Sequence, residues 1–205
     1  MFRKNTIDEY LKALSSKSPV PGGGSGAALI GATGCALLSK TLNFTVGKKK
    51  YAAAQKEMSD IFAKTEAIQE NMIKLCSQDA VAYRKLSDAM KASEKGHKLE
   101  TALREAISVP LEICKNSRDA IKLCLPVAKK GNINLLTDTA IAGIALKCAF
   151  ESARLNVEIN LKHMKDTDFI LSARKTLELM EKETCSINKE IDVELKKHLS
   201  EGRGK

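Results

Sequence analysis

The sequence predicts an all-α protein, an antiparallel bundle of long helices that forms a single domain over residues 1–205. Aromatic residues make up 4% of the chain and tryptophan is absent, whereas strands favour aromatic and β-branched residues. Apolar residues recur at helical spacing along most of the chain, and strand-like alternation never persists beyond a few residues. A chain of 205 residues can bury one sizeable core, and two full domains would be cramped.

Six helices are expected, with glycine, proline and polar residues at their ends. The predicted bounds are 5–14, 26–46, 51–90, 93–130, 132–164 and 166–199, followed by a flexible tail at about 200–205. Ser25 is placed to cap the second helix, and Gly47 to end it. Pro110 should kink or divide the fourth helix. Because Gly31 and Gly34 lower helix propensity, we expect another helix to pack closely against them. The fifth helix is apolar nearly all round, which predicts a central, buried position.

Charge and cysteine content narrow the possible functions. The net charge of +9 favours anionic partners, but scarce aromatics and dispersed basic residues argue against nucleic acid. The six cysteines lie far apart, without a CxxC pair or histidines at ligand spacing, so we expect reduced core residues and no metal site. The chain has no apolar leader, and its longest uncharged run is too short to span a bilayer. A cytoplasmic protein without a membrane partner is expected.

The glycine-rich segment before the second helix has two interpretations. Gly22, Gly23 and Gly24 leave backbone N–H groups exposed at the positive end of the helix dipole, and the Ser25 hydroxyl can add a polar group. That arrangement suits an anion or an oxyanion. The alternative is a tight turn whose glycines let two helices pack closely, and the spacing alone favours neither.

Asp79 and a lysine triplet are charged groups with two interpretations each. Asp79 falls within an apolar helical stripe, where lost hydration raises a carboxyl pKa toward the range useful for acid–base catalysis. The alternative is a structural ion pair or a helix edge. Lys48, Lys49 and Lys50 could form a solvated helix end or bind an acidic tail of a ligand.

Three further polar residues lie on the fifth helix. Asn156 and Asn160 are four residues apart among apolar neighbours, so they share a face and could bind ring nitrogens and carbonyls of a ligand. Asp138, near the start of this helix, has the position of an ordinary cap or dipole partner. A rise of ~1.5 Å per residue separates Asp138 from Asn156 by about 27 Å, so the two cannot meet in one small site within one helix.

Five motifs occur in order along almost the whole chain, from about residue 5 to 195. They are PGGGSxAA at 21–28, VGKKKY at 46–51, DxxAY at 79–83, GNxNxxxD at 131–138 and LNVxINLK at 155–162. Together they resemble the formiminotetrahydrofolate cyclodeaminase / methenyltetrahydrofolate cyclohydrolase family. The sequence departs from the family at Gly26, where Val or another small apolar residue is frequent, and at Thr137, where Ser is commoner.

This resemblance implies an all-helical homodimer or higher homo-oligomer that binds folate near the subunit interface. The substrate would be a tetrahydrofolate derivative, possibly polyglutamylated, and no bound cofactor would be needed. The implied roles are acid–base catalysis by Asp79, positioning of the one-carbon bridge by Gly22, Gly23, Gly24 and Ser25, binding of the glutamate tail by Lys48, Lys49 and Lys50, and binding of the pterin or water by Asn156 and Asn160. Asp138 would serve the catalytic site of a neighbouring subunit.

The reaction expected first is hydrolysis of methenyltetrahydrofolate to 10-formyltetrahydrofolate, because the chain carries no formiminotransferase domain to supply the formimino compound. The alternative is a cyclodeaminase that closes 5-formiminotetrahydrofolate and releases ammonia. A more distant alternative is a basic helical module that binds an anion without catalysis.

Overall fold

The computed structural model describes residues 2–92 and 96–201. It contains six α-helices in this part of the chain. They are α1 (Ile7–Leu14), α2 (Gly23–Asn43), α3 (Gln55–Lys91), α4 (His97–Lys130), α5 (Leu136–Leu161) and α6 (Thr167–Glu201). Short 3-10 turns span Phe2–Lys4, Lys49–Ala54 and Ile133–Leu135, and the described residues include no strand. The all-α prediction is confirmed.

Four helices form a closed ring, in which α2, α3, α4 and α5 each pack against the next and α5 returns to α2. Helix α6 lies against α4 and α5. Helix α2 runs antiparallel to α5, since Gly23 lies beside Asn156 at one end and Lys40 pairs with Asp138 at the other. The start of α2 and the end of α5 therefore share one end of the bundle.

Close packing explains two glycines within α2, as the sequence predicted. A Cβ atom at Gly31 would lie 2.8 Å from Met72 Cε of α3. A Cβ atom at Gly34 would lie 2.8 Å from Leu146 Cγ of α5. Both distances are shorter than real Cβ contacts, so these glycines let α2 approach its neighbours more closely than alanine would.

Helix α5 is central but not buried on every side. Phe150 and Leu146 are fully buried, whereas Ile141, Ile144 and Leu155 are 52%, 66% and 67% exposed. By length and composition alone residues 133–161 could cross a membrane, a test that the core helix of a globular protein also passes. One apolar face of α5 is therefore left without a partner in a single chain.

The first turn of α2 differs from the prediction. The helix begins at Gly23 with Gly22 at the N-cap position, so the expectation that Ser25 caps it is wrong. The helix starts about one turn earlier than predicted, with the Gly26 N–H donating to the Gly22 carbonyl at 3.0 Å, so Ser25 lies inside it. The helix ends at Asn43, and Gly47 lies in the following turn with a φ of 77° rather than at the helix end.

Pro110 does not divide α4, which continues from His97 to Lys130. A proline has no N–H, so the carbonyl of Ala106, four residues earlier, loses its helical donor. Asn160 of α5 replaces that donor, with Nδ2 3.1 Å from the Ala106 carbonyl oxygen. This bond from α5 satisfies the carbonyl that the proline leaves free.

The structure also tests three smaller predictions, on a helix end, the cysteines and the carboxyl-terminal tail. Gly131 caps α4 at its carboxyl end, directly after the predicted bound at residue 130. Four cysteines are buried, but Cys148 is exposed and Cys185 is half-buried, so the assignment of all six to the core is wrong for these two. The predicted tail overlaps α6, which continues to Glu201, while residues 202–205 and the predicted helix start at 93 lie outside the described residues.

Candidate active site

A cavity of about 210 Å³ opens at the end of the bundle where α2 begins and α5 ends. Its walls come from α2 and the turn before it, α3, α4 and α5. Six residues predicted from the sequence line it: Gly22, Gly23, Gly24, Asp79, Asn156 and Asn160. Asp79 is the only charged side chain among the described lining residues, so an entering ligand meets one carboxylate in otherwise uncharged surroundings.

Asp79 is held against the first turn of α2. The Ser25 N–H donates to Asp79 Oδ2 at 2.9 Å, which satisfies one of the N–H groups that every helix leaves free at its start. A Cβ atom at Gly24 would lie 2.0 Å from Asp79 Oδ1 and 2.5 Å from its Cγ. Glycine at position 24 is therefore the condition for this carboxylate to reach the helix.

Two effects oppose each other at this carboxyl group. Burial raises the pKa of Asp79, because the ionised form loses hydration, and the hydrogen bond from the Ser25 N–H partly lowers it. Burial is the larger effect. Asp79 thus combines a fixed position with a raised proton affinity, which are the properties of a general base or acid.

The two asparagines of α5 line the same cavity. Asn156 donates from Nδ2 to the Ser152 carbonyl at 3.0 Å, which fixes the amide beside Gly23. Asn160 makes the bond to the Ala106 carbonyl described above. Both amides are held by the protein, so they can present a fixed polar edge to a ligand.

The lysine triplet and Asp138 lie at the other end of the bundle. Lys48, Lys49 and Lys50 are exposed in the turn after α2. Asp138 lies in the first turn of α5, the position of a helix-dipole partner, and its Oδ1 accepts from Lys40 Nζ at 3.0 Å. Since α2 is 21 residues long and rises ~1.5 Å per residue, about 30 Å separates these groups from the cavity. Within one chain the structure does not bring them to Asp79.

A hydrogen-bond network holds the lysine turn in place. Tyr51 donates its hydroxyl to Asn132 Oδ1 at 3.1 Å, and the Asn132 N–H donates to Thr45 Oγ1 at 3.0 Å. Gln55 Nε2 donates to the Tyr51 carbonyl at 3.0 Å. The turn is thus tied to the corner between α4 and α5, and its lysines project from a defined backbone.

Ser25 has a different position from the one predicted. Its side chain is fully buried, and its hydroxyl lies 3.0 Å from both the Tyr10 hydroxyl and Cys76 Sγ. Its backbone N–H holds Asp79, so Ser25 stands behind the cavity wall. In the part of the chain that the structure describes, no three His, Cys, Asp or Glu side chains are grouped as metal ligands would be.

Tyr83 is a cavity residue for which the sequence predicted no role. It is 47% exposed and lies one helical turn after Asp79, and no other aromatic residue lines the cavity in the described chain. Its place in the DxxAY motif, in a chain with only 3 tyrosines, was the available signal. No sequence signal indicated that the Tyr10 hydroxyl would contact Ser25, because this contact depends on the packing of α1.

Comparison with known proteins identifies the family of this arrangement. The family model described as Formiminotransferase-cyclodeaminase matches residues 6–179, which include all five sequence motifs and both ends of the bundle. The chain belongs to the formiminotransferase-cyclodeaminase family. The resemblance inferred from the motifs is thereby confirmed.

Members of the family resemble the chain over different shares of their length. A methenyltetrahydrofolate cyclohydrolase of Methylorubrum extorquens is 34% identical over 93% of this chain and 96% of its own. A formimidoyltransferase-cyclodeaminase of Dictyostelium discoideum is 30% identical over 92% of this chain but only 36% of its own length. A crystal structure of formiminotetrahydrofolate cyclodeaminase from Thermotoga maritima has a TM-score of 0.91 and 29% identity, covering 97% of this chain and 100% of that one.

Proposed function

We propose that this protein is a methenyltetrahydrofolate cyclohydrolase, which adds water to the methenyl bridge and forms 10-formyltetrahydrofolate. The observation that carries the proposal is the carboxylate of Asp79, partly buried at the start of α2 in a cavity whose other described lining residues are uncharged. The methenyl bridge is a cation delocalised over N5, the bridging carbon and N10. A lone carboxylate complements that charge without a competing protein cation.

In the proposed mechanism Asp79 acts as general base and then as general acid. Water attacks the bridging carbon, the carbon–nitrogen π electrons neutralise the cation, and Asp79 accepts the proton that the water loses. The hydroxyl oxygen on this carbon then releases its proton to solvent water and forms the formyl carbonyl. The bond from the carbon to N5 breaks at the same time, and Asp79 returns its proton to N5, so each turnover releases one proton. The raised pKa of Asp79 suits a group that must both accept and return a proton. The step consumes only water, so we propose no bound cofactor.

The first turn of α2 would stabilise the negative charge that develops on the oxygen bound to the bridging carbon. The N–H groups of Gly23 and Gly24 belong to the first turn, which has no acceptors in a preceding turn. Donors of this kind, aimed at developing charge, supply a large part of catalysis in many enzymes. Asn156 and Asn160 would bind the pterin edge or orient the water.

We further propose that the protein works as a homodimer in which both ends of the bundle form one site. The exposed residues Ile141, Ile144, Leu155 and Ile159 form an apolar face along α5, a feature typical of protein interfaces. A two-fold axis near the middle of α5 would set the Asp138 end of one subunit beside the cavity of its partner. The lysine triplet would then bind the glutamate tail of the same folate.

Mixing two inactive variants tests this shared site. Asp79→Asn lacks the base, and a variant with Lys48, Lys49 and Lys50 all changed to Ala lacks the tail site. If each site takes Asp79 from one subunit and the lysines from the other, a mixed dimer has one intact site out of two. Because about half of the co-refolded dimers are mixed, the mixture should regain about a quarter of wild-type activity on a polyglutamylated substrate. Mixtures no more active than their components contradict a shared site.

A cyclodeaminase is the second candidate, favoured by the TM-score of 0.91 to the Thermotoga maritima cyclodeaminase. The cyclohydrolase comes first because the relative of that name is matched over 96% of its own length. The absorbance of methenyltetrahydrofolate separates the two activities, since it falls with a cyclohydrolase and rises when 5-formiminotetrahydrofolate meets a cyclodeaminase.

Asp79→Asn should lose about 10²–10⁴-fold of the rate in either assay, the usual contribution of a general base. A correctly folded variant that retains wild-type turnover would contradict the assignment of Asp79. Folate binding with neither absorbance change would favour the non-catalytic module.

We propose a cytoplasmic location for the enzyme.

A further inference from the structure

We propose that Tyr10 is a positioning residue for Asp79 and that it acts through Ser25. The inference rests on the proposed function only in making Asp79 the general base. Its structural basis is a buried group of three polar side chains behind the cavity wall: Tyr10 of α1, Ser25 of α2 and Cys76 of α3.

The three side chains join three helices at one point. The Tyr10 hydroxyl and Cys76 Sγ each lie 3.0 Å from Ser25 Oγ, and the Tyr10 hydroxyl oxygen lies 3.9 Å from Cys76 Sγ. Tyr10 and Cys76 are each 6% exposed, and Ser25 is fully buried. Hydrogen bonds in such surroundings are costly to leave unmade, so they hold the helices in register.

This cluster connects directly to the catalytic carboxylate. The same Ser25 that binds Tyr10 and Cys76 by its hydroxyl holds Asp79 Oδ2 by its N–H, at 2.9 Å. Cys76 precedes Asp79 by three residues on α3, so the contacts close a ring through both helices. A shift of Ser25 therefore moves the donor that fixes Asp79.

In the turn just before Ser25, the backbone bond from the Gly26 N–H to the Gly22 carbonyl is present, but no side chain holds this position. Gly22 at the N-cap makes no side-chain hydrogen bond, and Gly23 and Gly24 have no side chains. Ser25 is the first residue of α2 whose side chain can anchor the turn. The glycines give a ligand access to the backbone but cannot anchor it, so the Ser25 hydroxyl fixes the position of this turn.

Tyr10 serves as a hydrogen-bonding group and not as a proton store. Burial raises its pKa to about 12, with smaller contributions from Cys76 and Asp79 and an opposing hydrogen bond with Ser25. The phenol therefore keeps its proton at working pH. Among the described residues, the titratable groups near Asp79 are Tyr10 from α1, with Cys76 and Tyr83 from α3, while the residues of α2, α4 and α5 that line the cavity are uncharged.

Tyr10→Phe tests the inference, because it removes one oxygen and keeps the ring. We expect kcat to fall about tenfold, since displacement of a catalytic group by a fraction of an ångström is costly. Loss of a firm Ser25 donor removes an effect that lowers the pKa of Asp79, so the acid limb of the rate profile should move to higher pH. Carbon-13 NMR titration of the Asp79 carboxyl, without substrate, should show the same direction.

Thr65→Val is the matched control. Thr65 is a fully buried hydroxyl on α3 that bonds the Ile61 carbonyl at 2.8 Å, four turns from Asp79. It should lower thermal stability to a similar extent but leave the rate profile and the carboxyl titration unchanged. Cys76→Ser, which keeps a hydrogen-bonding group beside Ser25, should stay close to wild type.

An unchanged Asp79 titration in folded Tyr10→Phe overturns the inference. If that variant does not fold, Cys76→Ala provides the same readout, with a smaller shift in the same direction expected and no shift contradicting the role. A shifted titration in a protein that hydrolyses no methenyltetrahydrofolate rejects the proposed function and leaves the positioning role intact.

Discussion

The sharpest test of the candidate active site is Gly24→Ala. The new Cβ atom would lie 2.0 Å from Asp79 Oδ1, whereas ordinary contacts begin near 3.4 Å, so the carboxylate must retreat by about 1.4 Å. Because the obstructing atoms belong to a side chain and not to backbone, Asp79 can rotate away and the helix can still form. Misplacement of a catalytic group by about 1 Å can cost about 10²-fold, so we expect kcat to fall by that factor or more.

The control for this substitution lies two residues further along the same helix. A Cβ atom at Gly26 would meet no atom within 4 Å. Gly26→Ala should therefore keep wild-type turnover and raise the free energy of unfolding by about 0.4–1 kcal/mol, since alanine lowers the entropy of the unfolded chain.

Both variants are measured by the decline of methenyltetrahydrofolate absorbance, with circular dichroism melting curves to verify the fold. Near-normal turnover in folded Gly24→Ala would refute the argument that Asp79 must touch the start of α2. An equal loss of turnover in Gly26→Ala would mean that turnover depends on the helix content of the glycine segment and not on the contact between Gly24 and Asp79.

Two further predictions concern stability. Asp79→Asn should raise the melting temperature at pH 7, because burial raises the folded-state pKa of Asp79 and its ionised form therefore costs stability. The wild-type protein recovers this stability as the pH falls through that pKa, so the two melting temperatures should converge in acid, and a difference that grows in acid would contradict the sign. Asn160→Ala should cost about 1–3 kcal/mol by leaving the Ala106 carbonyl without its donor. Pro110→Ala in that background supplies a backbone N–H and should restore part of the loss in urea unfolding, and strictly additive losses would argue against this compensation.

Much of the architecture could be predicted because its signals are local. Helical periodicity predicted six helices, and the close approach at Gly31 and Gly34 followed from two glycines in an otherwise strong helix. The expectation for Pro110 failed in part because its outcome depends on a distant residue. Pro110 was expected to kink or divide α4, and the helix is not divided, because Asn160 of α5 satisfies the carbonyl that the proline leaves free.

The candidate site could be predicted only as a set of residues. Asp79, the glycines and the two asparagines were identified singly, because each is a residue type out of keeping with its neighbours. That they line one cavity depends on the antiparallel pairing of α2 and α5. Catalytic and binding roles for them, and for the lysines and Asp138 at the far end, stay predictions.

The sequence by itself determined the helical class, the helix positions to within a few residues and the family. These follow from local propensity, apolar spacing and motif order, which need no knowledge of how distant segments meet. Only the tertiary structure decided that Gly24 makes room for a carboxylate and that Ser25 turns its hydroxyl to Tyr10. Such contacts join residues 15 to 55 positions apart, and they depend on the packing of helices, which no local pattern specifies.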